Sequence, residues 1–118
     1  MNPKWWPGNP GSALVIPDDH YENVYDLPPD LGTPIQYAVR DTALALRAAL
    51  ACPGVSIRQH NEPAGNQDVW HYHIHVFPRY DGDRLYESQG EWADPNHMRV
   101  LAERVRHAWP PGHGSVAT

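Results

Sequence analysis

Residues 69–77 alternate polar and apolar side chains more regularly than any other part of the chain. Three histidines alternate there with three aromatic or aliphatic residues: His71, His73 and His75 against Tyr72, Ile74 and Val76. Because successive side chains of a strand point to opposite faces, this pattern predicts a strand that Pro78 ends. One face then carries a row of imidazoles about 6.6–6.8 Å apart, and the other face is expected to lie under helices.

The remaining elements predict an α+β fold. Residues 55–59 also alternate apolar and polar, as a half-buried strand does. They are joined to residues 69–77 by a loop, so we expect the two strands to be antiparallel neighbours in a sheet with its helices on one face. The other predicted elements are a short buried strand at 13–16, one long helix capped by Thr33 with Pro34 at its first position and ended by Pro53, and a final helix opened by Asp94 and Pro95.

Length, charge and cysteine content exclude several classes of protein. A chain of 118 residues is the size of one domain. The 9 Lys and Arg against 14 Asp and Glu give a net charge of −5, and this negative charge argues against non-specific nucleic-acid binding. A single cysteine, Cys52, excludes an internal disulfide. The chain has no membrane-length apolar run and no signal-peptide layout at its start, so we expect a cytoplasmic protein without a membrane span.

Both ends of the chain are predicted to lack regular structure. The frequent Pro and Gly of residues 1–8 indicate an irregular N-terminus, and residues 110–118 are expected to form a flexible tail. Trp5 and Trp6 are unusual in such a segment, so we expect them to pack on the domain or on a partner chain.

The row of histidines suits phosphoryl chemistry. An unprotonated imidazole is a good nucleophile near neutral pH, and a neighbouring imidazole can donate a hydrogen bond or a proton to a phosphoryl oxygen or leaving group. Crowding three imidazoles disfavours their joint protonation. Two other interpretations fit the same pattern, namely a solvated polar sheet face and a site for zinc or copper.

Two blocks of sequence resemble the histidine triad (HIT) family. Residues 61–79, NEPAGNQDVWHYHIHVFPR, are similar to the family signature of a small-residue loop followed by Gln-x-Val-x-His-x-His-x-His and often Pro-Arg. Residues 9–20, NPGSALVIPDDH, are similar to the family element Pro-Gly-His-x-Leu-Val-Ile-Pro-x-x-His. The fold implied is an antiparallel sheet with one long central helix and a C-terminal helix.

The resemblance implies a hydrolase or transferase acting at the α-phosphate of a nucleotide. His73 would be the nucleophile that forms a covalent nucleotidyl-histidine, His75 would contact the phosphate and the leaving group, and His71 would hold the hydrogen-bond geometry. The substrate-binding residues implied are those of the preceding loop: His60, Asn61, Asn66, Gln67 as a donor, and Asp68. The family mechanism needs no metal or other cofactor, and a homodimer is usual.

The chain departs from the family pattern in four ways. Ser12 stands where the family has a histidine, Asn66 replaces a glycine, and Asp68 replaces a phosphate-contacting Ser or Thr. The Asp68 carboxylate should repel a polyphosphate unless it points away or pairs with Arg79 or Arg84. The chain also begins almost at the Pro-Gly element, so we expect the family's N-terminal helix and first strands to be missing. That absence leaves open a catalytically weak nucleotide-binding protein, and Trp5 and Trp6 are expected to cover part of the exposed sheet edge.

Overall fold

A computed structural model describes residues 1–111 and shows the predicted α+β architecture. In chain order, the strands are β1 (Lys4–Trp5), β2 (Ala13–Val15), β3 (Gly54–Arg58), β4 (Ile74–Arg79) and β5 (Glu91–Trp92), and the helices are α1 (Gly32–Leu50) and α2 (Pro95–His107). Neither helix in the described part of the chain is long and apolar enough to cross a membrane.

The main sheet has the strand order β2-β4-β3, and both pairings are antiparallel. The prediction that the two alternating segments are antiparallel neighbours is therefore confirmed, with Arg58 opposite His75 and Ser56 opposite Phe77. On the other side of β4, Leu14 lies opposite His75. His75 thus has a neighbour on each side, at the centre of the sheet.

Helix α1 packs against all three strands of this sheet, and α2 packs against α1, so the helices lie on one face as predicted. The buried core between them contains Ala13, Val15, Val39, Ala45, Leu46, Tyr72, Ile74, Val76 and Val105. Tyr72, Ile74 and Val76 had been expected on this face from their alternation with the histidines. That assignment is confirmed.

The ends of the helices agree with the sequence in two places and differ in one. Pro53 follows the end of α1, where Ala51 adopts a left-handed conformation, and α2 begins at Pro95 with the Asp94 side chain accepting from the Asn96 amide. Thr33, however, does not cap α1. The helix begins at Gly32, directly after a 3₁₀ turn at Pro29–Leu31, and the preceding residue, Leu31, is already in a helical conformation.

The strand predicted over residues 69–77 is shorter at its start and longer at its end. It begins only at Ile74 because its two neighbours reach no further: β2 ends opposite Ile74, and β3 ends opposite His75. Pro78 does not end the strand. Since β2 begins opposite Val76, β4 is unpaired on that side at Pro78, where a residue without an N–H is tolerated.

The N-terminus is not wholly irregular, which corrects the prediction for residues 1–8. Lys4–Trp5 pair antiparallel with Glu91–Trp92 in a second, two-stranded sheet. Trp5 is buried and meets the ring of His97 edge-on at 5.2 Å, so the two tryptophans do pack on the domain. The tail predicted at 110–118 falls, from residue 112 onward, outside the described residues.

Candidate active site

The three histidines of the alternating segment lie on the sheet face opposite the helices. Only His75 belongs to β4, whereas His71 and His73 lie in the irregular segment just before it. The ring centres of His73 and His75 are 5.0 Å apart, and all three rings are half-buried. The structure therefore brings the rings of His73 and His75 together, whereas the ring of His71 meets that of His20 at a centroid distance of 5.3 Å.

His73 is oriented by a single backbone contact. Its Nδ1 lies 2.8 Å from the carbonyl oxygen of His71. A carbonyl oxygen can only accept, so the hydrogen of the neutral ring must be on Nδ1, and Nε2 keeps its lone pair. This is the arrangement that a nucleophilic imidazole requires.

His71 is fixed on two sides. Its Nε2 donates to the carbonyl oxygen of Pro17 at 3.1 Å, and its Nδ1 lies 3.3 Å from Nδ1 of His20. With the hydrogen of His71 on Nε2, the His20 Nδ1–H donates to His71. The sequence gave no sign of this contact, because the two residues are 51 positions apart.

His75 lies in the least solvated part of the row. Its ring stacks on Phe77, with the planes 9° apart, and meets Trp6 edge-on at a centroid distance of 6.1 Å. This burial, reinforced by the neighbouring His73 and by the charge of Arg58, lowers the pKa of His75 from 6.5 to about 4. His75 is therefore neutral at pH 7.

Ser12, which replaces the family histidine, makes no side-chain hydrogen bond to the histidine row within residues 1–111. Ser12 is fully buried, and its Oγ has no hydrogen-bond partner among residues 1–111. The same is true of Nδ1 of His75.

Gln67 has a different role from the predicted phosphate donor. Its side chain is buried, and its Nε2 donates to the carbonyl oxygens of Glu22 at 2.6 Å and Val69 at 3.1 Å. Its Oε1 accepts from the Glu62 amide at 2.8 Å. Both amide hydrogens are thus used within the protein, and Gln67 holds the loop in shape instead of facing a ligand.

Two other predicted binding residues also help to build the loop. The Asn61 side chain accepts from the Val24 amide at 2.9 Å and exchanges hydrogen bonds with Gln59. Asn66 is exposed and adopts a left-handed conformation, with φ of 70°. The residues of this loop with a positive φ are therefore Glu62 and Asn66, whereas Gly65 has none.

His60 and Asp68 lie close to the histidine row. The rings of His60 and His75 are 6.3 Å apart, and burial, followed by the charge of Arg58, lowers the pKa of His60. Asp68 is exposed, and its negative charge opposes the lowering of the pKa at both histidines. Of the two alternatives for Asp68, pairing with an arginine is not the one seen among residues 1–111, since Arg79 pairs with Asp83 and Arg84 with Glu87.

Within residues 1–111, no group of three or more His, Cys, Asp or Glu side chains is arranged to hold a metal ion. Both ring nitrogens of His71 and Nδ1 of His73 contact protein atoms. Cys52 is buried, as expected, and burial raises the pKa of its thiol.

An antiparallel sheet with its helices on one face and a histidine row on the other defines a histidine triad domain. The sequence matches the HIT domain family over residues 4–82, and the chain belongs to this family.

Relatives and solved structures agree with that assignment. "Protein hit" of Bacillus subtilis is 39% identical over 70 residues, which are 59% of this chain and 48% of the relative, so the chain spans about half the length of that protein. The "Adenylylsulfatase HINT3" of Arabidopsis thaliana is 29% identical over 79 residues, 67% of this chain and 40% of its own. The crystal structure of a Hit-like protein involved in cell-cycle regulation from Bartonella henselae superposes with a TM-score of 0.81 at 29% identity, covering 92% of this chain and 76% of that one.

Proposed function

We propose that the protein is a hydrolase or transferase that acts at the α-phosphate of a nucleotide through a covalent nucleotidyl-histidine. The observation that carries this proposal is the hydrogen bond from Nδ1 of His73 to the His71 carbonyl, which leaves Nε2 free to attack. Membership of the HIT family, which includes the adenylylsulfatase of Arabidopsis thaliana, supports the same chemistry.

In the first step, Nε2 of His73 attacks the α-phosphorus in line with the leaving group. A bond forms between nitrogen and phosphorus, and the bond from phosphorus to the leaving group breaks, with its electron pair departing on that group. The imidazole carries a positive charge after the attack, and the His71 carbonyl, which accepts from Nδ1, stabilises this charge.

In the second step, water or another acceptor attacks the same phosphorus. The new bond to oxygen forms as the bond to Nε2 breaks, the electron pair returns to the ring, and the proton of the attacking water is released. The 5.0 Å between the rings of His75 and His73 supports a contact of His75 with a phosphoryl oxygen in both steps. His20, through its hydrogen bond to His71, acts as a positioning residue.

The experiment that tests this proposal combines kinetics with intact-protein mass spectrometry. We expect His73→Ala to lower turnover of adenosine 5′-phosphoramidate and diadenosine triphosphate by at least about 10³-fold, and to abolish an acid-quenched species heavier than the protein by one adenylyl group. His107→Ala is the matched control, since His107 is an exposed histidine near the end of α2. Unchanged turnover in His73→Ala would refute the role of His73.

A protein that binds nucleotides without turning them over remains the alternative. It predicts binding of AMP by the natural chain without the adenylylated species in the same experiment. Homodimer formation and a cytoplasmic location stay predictions from the family and the composition.

A further inference from the structure

Arg58 is a cation on the histidine face that has no acidic partner in the described part of the chain. It lies opposite His75 in the pairing of β3 with β4. Among residues 1–111, no carboxylate is within ion-pairing distance of its guanidinium, and its Nε is buried without a hydrogen-bond partner. A half-buried guanidinium with unused donors is a favourable place for an anion to bind.

Two aromatic rings hold Arg58 in place without neutralising it. The guanidinium carbon is 4.7 Å from the centre of the Phe77 ring and 5.0 Å from that of Tyr86, and the Tyr86 hydroxyl donates to Ser56. The neighbouring Arg79 also packs on Tyr86, but Asp83 neutralises it. Of these two arginines on the face, Arg58 is therefore the one whose charge is free to act on a ligand.

The charge of Arg58 reaches the histidine row. This arginine lies opposite His75, the neighbour of His73, in the pairing of β3 with β4, and its charge contributes to the lowered pKa of both His60 and His75. His75, the neighbour of the nucleophile, is neutral at pH 7 and is a weak proton donor there. A leaving group that departs as a stable oxyanion needs no proton, whereas an amine must gain one.

We propose that Arg58 is a specificity-determining residue that binds the phosphate next to the reacting one, so that the site favours nucleotides whose leaving group is itself a phosphate over phosphoramidates. This inference rests on the proposed function. In the reaction, the phosphorus–oxygen bond breaks with its electron pair on the departing phosphate, and the guanidinium stabilises the charge that develops on that oxygen.

The test compares two substrates in one variant. We expect Arg58→Met to lower kcat/KM for diadenosine triphosphate by about 10- to 100-fold and to change kcat/KM for adenosine 5′-phosphoramidate by less than about threefold. Arg58→Lys keeps the charge and should recover part of the loss. Arg47→Met, at an exposed position on α1, is the matched control and should leave both values unchanged. An equal fall for both substrates, or no fall for either, would overturn the proposal.

Calorimetry separates this inference from the proposed function. The natural chain should bind ADP more tightly than AMP, and Arg58→Met should remove that difference. If no substrate is turned over but the difference depends on Arg58, the phosphate-binding role stands and the proposed reaction fails. If the natural chain turns over both substrates but Arg58→Met leaves the preference for ADP intact, the proposed reaction stands and the role of Arg58 is wrong.

Discussion

At the scale of single residues, the environment of His75 makes the stability of the fold sensitive to acid. The unfolded chain protonates this histidine near pH 6.5, and the folded chain does so only near pH 4. Between these values the unfolded state binds more protons, so the free energy of unfolding falls as the pH falls through this range. The contribution of His75 to stability is fully present above pH 6.5. The expected loss is about 2 kcal/mol, allowing for the solvent contact of the half-buried ring.

His75→Phe tests this acid sensitivity, because phenylalanine keeps the stacking on Phe77 and cannot take a proton. Urea unfolding at several pH values between 7.5 and 4 should show a smaller loss of stability in the variant, by about 2 kcal/mol. The lowered pKa values of Asp26 and Asp83 also favour the folded state above their titration range, but these carboxyls are common to both proteins and cancel in the comparison. Parallel curves for the two proteins would rule out His75 as the cause.

At the scale of elements, the sequence predicts a segment well when its signal is local. The start of α2 follows from Asp94 and Pro95, because both act within one turn of the helix. The start of β4 could not be read from alternation alone, since the length of β2 and β3 decides where pairing begins. The pairing of β1 with β5 joins short segments about 87 residues apart, so no local pattern signals it.

The same reasoning explains what the sequence showed of the site. The alternation of the segment predicted correctly that Tyr72, Ile74 and Val76 lie in the core. Tyr72 takes this position although it precedes the start of β4. The Arg58 site was missed because a charged residue in an alternating strand normally faces water. Here the polar face of β3 lies under Tyr86 and beside Phe77, whereas the apolar Ile57 is 52% exposed.

The loop before the histidines holds one residue in a strained conformation. Glu62 has φ of 65° and ψ of 163°, a region that residues with a Cβ rarely adopt and that costs about 1–3 kcal/mol. Its amide and carbonyl are both bonded to Gln67, which keeps it there. We expect Glu62→Gly to raise the free energy of unfolding by about 1 kcal/mol, since relief of strain exceeds the added freedom of the unfolded chain.

Glu62→Ala is the control for this loop prediction. Alanine also removes the exposed carboxylate but keeps the Cβ, so it should change the stability by less than about 0.5 kcal/mol. Chemical denaturation of the three proteins under the same conditions gives the comparison. Equal stabilisation by Gly and Ala would assign the effect to charge and not to the backbone.

At the scale of the whole molecule, the N-terminal segment connects the second sheet to the histidine face. β1 pairs with β5, and Trp6, which directly follows β1, meets the rings of His75 and Phe77 edge-on. On its other side, Trp6 lies within 3.5 Å of the position that a side chain on Gly90 would occupy. The chain therefore uses its first residues to cover one end of the site, and the solvation of His75 depends on them.

Trp6→Ala tests that dependence. Removing the indole should lower the free energy of unfolding by about 2–3 kcal/mol, because a large half-buried ring is lost from between two elements. It should also raise the pKa of His75 from about 4 toward 6.5, because burial is the main cause of the lowered value. An NMR titration of the His75 imidazole measures the shift, and Trp6→Leu, which keeps part of the apolar cover, should give an intermediate value.

Trp92→Ala is the control for this prediction. Trp92 belongs to the same two-stranded sheet but is 75% exposed, so its removal should leave the pKa of His75 near 4. A His75 pKa that stays the same in Trp6→Ala would mean that the sheet alone, and not the N-terminal segment, keeps the histidine neutral.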